Sequence, residues 1–126
     1  MINMDMVGRL NDSTHGLTIG GYGTSPTWGK IINTKEAYFK INADSSGSGP
    51  SDHTSFYKKD IPVLFFFTGG HKDYHKPTDD ADKINYEGEY KIIQYIENII
   101  IYLFHFPEKS LVCLVQNILQ IMLGSI

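Results

Sequence analysis

The chemically strongest side chains of this sequence crowd the two ends of one apolar run. Ile61–Phe67, interrupted only by Pro62, has Asp52 and His53 before it and His71, Asp73, His75, Asp79, Asp80 and Asp82 after it, all within Gly49–Lys83. Imidazole and carboxylate are donors that zinc and similar borderline metals take, and the His-plus-Asp composition of these flanks, rather than the Lys-plus-Glu that only solubilises a strand, points to chemistry. A buried strand that delivers such groups to the loops at its ends is a common way to build a metal site. The single cysteine, Cys113, excludes an internal disulfide, so a metal held here is held by His and carboxylate.

Spacing narrows the candidates without choosing among them. His71 and His75 are four apart, but Gly70 and Pro77 argue against a helical histidine pair, so at most one is expected to be a ligand. Tyr74 favours His75, because a phenol beside it could donate to a developing oxyanion; His71 stays open. Asp79, Asp80 and Asp82 sit where they could cap a following helix. Asp5 stands near the end of an apolar strand, the place where α/β folds put their sites, and reads equally well as a solvated strand-end carboxylate. Asp52 and His53 form either a carboxylate–imidazole pair or a helix cap. His15 and His105 have no useful companions and read as structural or surface residues. Cys113 reads as a small core residue. No G-x-S-x-G occurs, which weakens a serine-hydrolase reading, and Gly20–Gly23 (GGYG) lacks the spacing of a nucleotide loop.

The bulk numbers bound the rest. A chain of 126 residues with 41% hydrophobic and 20% charged residues is at most one domain and can bury a core. Net charge −3 with scattered basic residues gives no nucleic-acid footprint. No apolar stretch is long enough for a membrane span, and no leader pattern opens the sequence.

Met1–Val7 alternates as a strand, and a chain that opens on a core strand reads as part of something longer. Leu17–Ile19 and Ala37–Ala43 are further strands, with Tyr38 or Phe39 inward. Ser25-Pro26 starts a helix running to about Asn33 with Trp28, Ile31 and Ile32 inward. Asp44–Pro50 is a loop of low order. Ser51–Lys59 is a short helix with Phe56 inward. Ile61–Phe67 is a central strand covered on both faces. Thr68–Asn85 is a long polar loop of the kind that carries function. Tyr86–Phe106 has the spacing of a helix through Ile92, Ile93, Ile96, Ile99, Ile100 and Leu103, ended by Pro107. The tail has a second helical stripe through Leu111, Leu114, Val115, Ile118, Leu119 and Met122. Alternating strands and helices predict a three-layer α/β/α sandwich.

NMDMVGR (Asn3–Arg9), GGYGTSPTW (Gly20–Trp28), GPSDHTSFYKKDIPVLFFFTGGHKDYHKPTDD (Gly49–Asp80) and DKINYEG (Asp82–Gly88) resemble the C-terminal half of the di-zinc aminopeptidases, over residues 1–103. The resemblance does not extend to the tail 104–126. It implies a mixed sheet between helices and a parent reaction in which metal-activated water attacks the carbonyl of an N-terminal peptide bond. It implies Asp5 as a terminal ligand of one zinc and His75 as a ligand of the other, which demotes His71. Tyr74 becomes the residue that stabilises the tetrahedral intermediate. Asp52 and His53 either back the metal ligands or face substrate. The family's other His, its bridging Asp and its Glu-Glu pair have no counterpart here, since the chain contains no Glu-Glu. The expectation is therefore a truncated enzyme, inactive alone and weak in zinc binding, with an exposed sheet edge and apolar tail open to self-association. A carboxypeptidase-like or glutaminyl-cyclase-like relative is the alternative in the same fold, and a non-catalytic interaction module the alternative in another class. Family members are mostly secreted, periplasmic or membrane-anchored.

Overall fold

The computed structural model describes residues 1–105. Four strands, β1 (Ile2–Met4), β2 (Gly16–Gly20), β3 (Lys40–Ala43) and β4 (Leu64–Phe67), form one sheet in the order β1-β4-β2-β3. β1 runs parallel to β4, β2 runs antiparallel to β4, and β3 runs parallel to β2, so the sheet is mixed as expected. Among the described residues three α-helices accompany it: α1 (Trp28–Ile31), α2 (His53–Tyr57) and α3 (Tyr86–His105). Period-two alternation in β4 sorts its side chains between two faces. Leu64 and Phe66 join Leu17, Ile19, Trp28, Ile92, Ile96 and Ile99 in the core under α3 and α1. Phe65, on the opposite face, stacks on His53 of α2 at 4.4 Å between ring centroids. Helices thus cover both faces, the layer order the sequence predicts, though α2 is only a thin cover.

Several local expectations need correction. β4 is central, but Phe65 and Phe67 stay partly exposed, because one short helix cannot bury a whole sheet face. The helix after Ser25 is a single turn, Trp28–Ile31, although Trp28 and Ile32 are buried as expected. In α2 the inward residue is His53 at 1% exposure, and Phe56 points out at 42%. α3 buries Ile92, Ile96 and Ile99, while Ile93 and Ile100 lie on its outer side. The cap of α3 is Asn85, whose Oδ1 accepts the Gly88 N–H at 2.9 Å, and not one of the aspartates before it. Of Tyr38 and Phe39, Phe39 is the buried one. The tail stripe, Cys113 and Pro107 lie outside the described residues.

The loop Asp44–Pro50 is more tightly held than its composition suggests. Gly21 donates to Ser46 O at 2.7 Å, Tyr22 donates to Asp44 O at 2.9 Å, and the Asp44 carboxylate accepts Ser46 N–H. Gly21 itself is irreplaceable: its φ is +80°, and a Cβ there would lie 2.3 Å from the Val63 carbonyl oxygen. Close by, the Thr24 hydroxyl accepts Val63 N–H at 3.0 Å and the Trp28 indole N–H at 3.1 Å, joining the residue that leads into β4 to the core tryptophan.

The long polar loop is pinned by charge. Arg9 lies at the end of a 3-10 turn (Val7–Arg9) that follows β1. Its Nη2 donates to Asp73 at 2.9 Å and its Nη1 to Asp79 at 2.6 Å. Asp73 is 5% exposed and also accepts from Thr78 at 2.8 Å and Lys83 at 3.1 Å. The Arg9 and Thr78 hydrogen bonds, with Lys83 behind them, outweigh desolvation and hold the Asp73 carboxyl well below the usual carboxylate range.

Two expectations follow for stability. Phe66→Ala should lower unfolding free energy by about 3–5 kcal/mol, read from urea denaturation, whereas the exposed Phe56→Ala should cost about 1 kcal/mol or less. Because the Asp73 pKa is depressed on folding, its contribution is complete above the ordinary value of 3.8 and is lost as pH falls below it. Asp73→Asn should therefore be less stable than the parent at pH 7, and its acid limb should lose about one proton of slope in denaturation measured across pH.

Candidate active site

Two segments distant in sequence meet at one cleft. Asp5 follows β1 directly, and its N–H donates to Phe66 O at 3.1 Å, so the parallel pairing with β4 sets where the carboxylate begins. One of its oxygens, Oδ2, accepts the Ser51 hydroxyl at 2.8 Å, and Ser51 in turn accepts Asn3 Nδ2 at 2.8 Å. This chain of bonds orients the carboxylate and leaves its other oxygen without a protein donor among the described residues. The next residue, Met6, adopts φ +57°, a left-handed turn whose carbonyl accepts the Thr68 hydroxyl. The backbone thus swings away from the sheet immediately after Asp5.

The other side of the cleft is the turn His71–Lys76. His75 has φ +54°, a conformation that costs a non-glycine residue about 1 kcal/mol or more and persists only where neighbours enforce it. Its ring lies against Tyr74, with centroids 4.0 Å apart, and Tyr74 meets His71 edge-on at 6.4 Å. Asp5, His71, Tyr74, His75 and Asp79 line one cavity of about 420 Å³, together with Met6, Pro50 and Lys76. Asp5, Met6, Pro50 and Tyr74 also border a second cavity of about 280 Å³ whose other walls include Phe65, Phe67 and Gly70. A polar cleft and an apolar pocket therefore share a wall at Asp5 and Tyr74.

Of the residues singled out from sequence, Asp5, Tyr74 and His75 come together in this cleft. His71 also lines it; its Nδ1 is buried without a partner, and its Nε2 lies 3.8 Å from Asp79. His53 does not line the cleft: it is fully buried on Phe65, with Nδ1 unpartnered. Burial pushes its imidazole pKa down, against the opposing pull of Asp5 and Asp52. Asp52 is exposed, and its side chain makes no cap bond to α2. His15 is structural, stacked on Tyr38 at 4.4 Å with Nδ1 at 3.1 Å from the Tyr38 carbonyl. Ser51, Asn3 and Arg9 are the residues that sequence reasoning passed over. Serine, asparagine and arginine are too common in loops to carry a signal without the fold that brings them to Asp5 or to the loop.

Among the described residues no group of three or more His, Cys, Asp or Glu is placed to hold a metal ion. No helix among them is long and apolar enough to cross a membrane.

The fold is similar to that in the crystal structure of the Legionella pneumophila LapA aminopeptidase, with a TM-score of 0.68 and 22% identity. The match covers 85% of this chain and 31% of that one, so the chain spans about a third of the length of that aminopeptidase. No curated protein sequence matches the chain. The model of peptidase family M28 matches residues 1–100, most of the sequence and both sides of the cleft, and on that match the chain belongs to peptidase family M28.

Proposed function

We propose that this chain forms one wall of the active site of a zinc-dependent aminopeptidase. The observation that carries this is the meeting of Asp5 and His75, from a strand end and a distant loop, in one cleft beside Tyr74. M28 membership supports peptide-bond hydrolysis as the reaction, and the likeness to an aminopeptidase supports the N-terminal bond as its target.

The donor chemistry fits zinc in part. Carboxylate and imidazole are both zinc ligands, but a catalytic zinc takes three protein donors, and no such set occurs among the described residues. Asp5 and His75 are therefore two donors of a site that is incomplete among the described residues. When bound, zinc supplies Lewis acidity toward the scissile carbonyl. The protein groups have their own tasks. Ser51 holds the Asp5 carboxylate in one orientation. Tyr74, half exposed on the cleft, donates its O–H to the substrate carbonyl oxygen as negative charge develops there. The adjoining pocket, walled by Met6, Phe65 and Phe67, takes an apolar side chain of the peptide. Alone, the chain binds zinc weakly and does not turn over peptide.

Calorimetric titration with zinc should give one weak event, with Kd above about 10 μM, and Asp5→Asn or His75→Gln should each weaken it about tenfold or more. An aminoacyl anilide should be hydrolysed no faster than in buffer. Tight binding of two ions would sink the claim of an incomplete site, and unchanged affinity in both variants would sink the donor assignment.

We further propose that the chain self-associates through β1, whose outer edge is unpaired among the described residues and whose Met4 is 51% exposed. Sedimentation should show concentration-dependent association that Met4→Lys reduces; identical behaviour of the two proteins would count against the edge.

A further inference from the structure

The two donors sit on separate elements, and something must set the gap between them. We propose that Arg9 is the positioning residue that does so, an inference that rests on the assignment of Asp5 and His75 as donors. Arg9 ends the 3-10 turn that follows Asp5, so its backbone is tied to the strand side of the cleft. Its guanidinium crosses to the loop side and holds two carboxylates, Asp73 at 2.9 Å and Asp79 at 2.6 Å. These bracket His75 in sequence, one before it and one after. A single planar group thus closes the turn that presents the imidazole and fastens it to the strand that presents the carboxylate.

Two features make the clamp more than a surface ion pair. The Arg9 side chain is 17% exposed and that of Asp73 7%, so water screens this inner arm little, while Asp79, at 40%, forms the outer, more exposed arm. The turn it closes contains His75 at φ +54°, which needs its surroundings to hold it there. Thr78 and Lys83 also bond Asp73, but both belong to the loop itself; Thr68 and Asn85 tie the two ends of the loop to Met6 and Gly8, and Arg9 joins the part around His75 to the Asp5 side. The geometry also demands arginine. Lysine keeps the charge, but a single ammonium lacks the fork that reaches two separate carboxylates at once.

The test uses the full chain with Arg9→Lys and Arg9→Gln, read by amide hydrogen exchange without metal and by calorimetry with zinc alone. Both variants should speed exchange across residues 71–80 about tenfold while the α3 peptide Ile92–Ile99 keeps its wild-type protection, and both should lose about tenfold in zinc affinity. The lysine variant decides between a fork and a mere charge. Wild-type protection of 71–80 in Arg9→Lys would overturn the proposal, as would an equal rise in the loop and α3, which marks general destabilisation. Faster loop exchange with unchanged zinc affinity would overturn it too. Asp5→Asn and His75→Gln run alongside: if they lose zinc and Arg9→Lys does not, only the role of Arg9 falls. If they keep zinc, the donor assignment falls and takes the Arg9 role with it. If the wild type binds no zinc, the metal reading fails, and the exchange data still decide whether Arg9 holds the turn.

Discussion

Phe66 closes the core with its ring and, through its backbone carbonyl, accepts the N–H of Asp5, so one residue of β4 fixes both the interior and the end of β1. β4 pairs with β1 on one side and β2 on the other, in opposite senses, and β3 is referred to it through β2. A slip of one residue in the β1–β4 register would turn the whole apolar set of β1 to the other face. It would also move Asp5 away from Ser51 and out of the cleft. Core packing and site geometry are therefore a single constraint, enforced by the alternation of four consecutive apolar residues.

The loop side of the cleft rests on different physics. Its residues are polar and largely exposed, so burial contributes little to their placement. What holds them is the set of charge-assisted bonds around Asp73, together with the Thr68 hydroxyl on the Met6 carbonyl. The strand side is therefore positioned by apolar packing and the loop side by electrostatics. Arg9 spans the two.

The sheet and the long helix were legible because period-two and 3.6-residue patterns survive in the order of residues. Asp5 at a strand end and the long polar loop after β4 followed from that order. Short elements were less legible: α1 shrank to one turn, and in α2 the buried residue is His53 rather than Phe56. A helix of one or two turns has no periodicity to read, and which side it buries depends on the surface it meets. At His53 that surface is the flat ring of Phe65, to which an imidazole stacks well. The loop Asp44–Pro50 looked disordered because its bonds run to Gly21 and Tyr22, which local composition cannot reveal.

The residue types and their order determined an α/β chain with a central apolar strand flanked by imidazoles and carboxylates. They did so because alternation and donor chemistry are local properties. The tertiary structure alone decided that Asp5 and His75 share a cleft with Tyr74, that His53 is buried behind the sheet, and that Arg9 bridges the two sides. Those facts join residues far apart along the chain, and only the pairing of β1 with β4 and the closure of the loop bring them within reach.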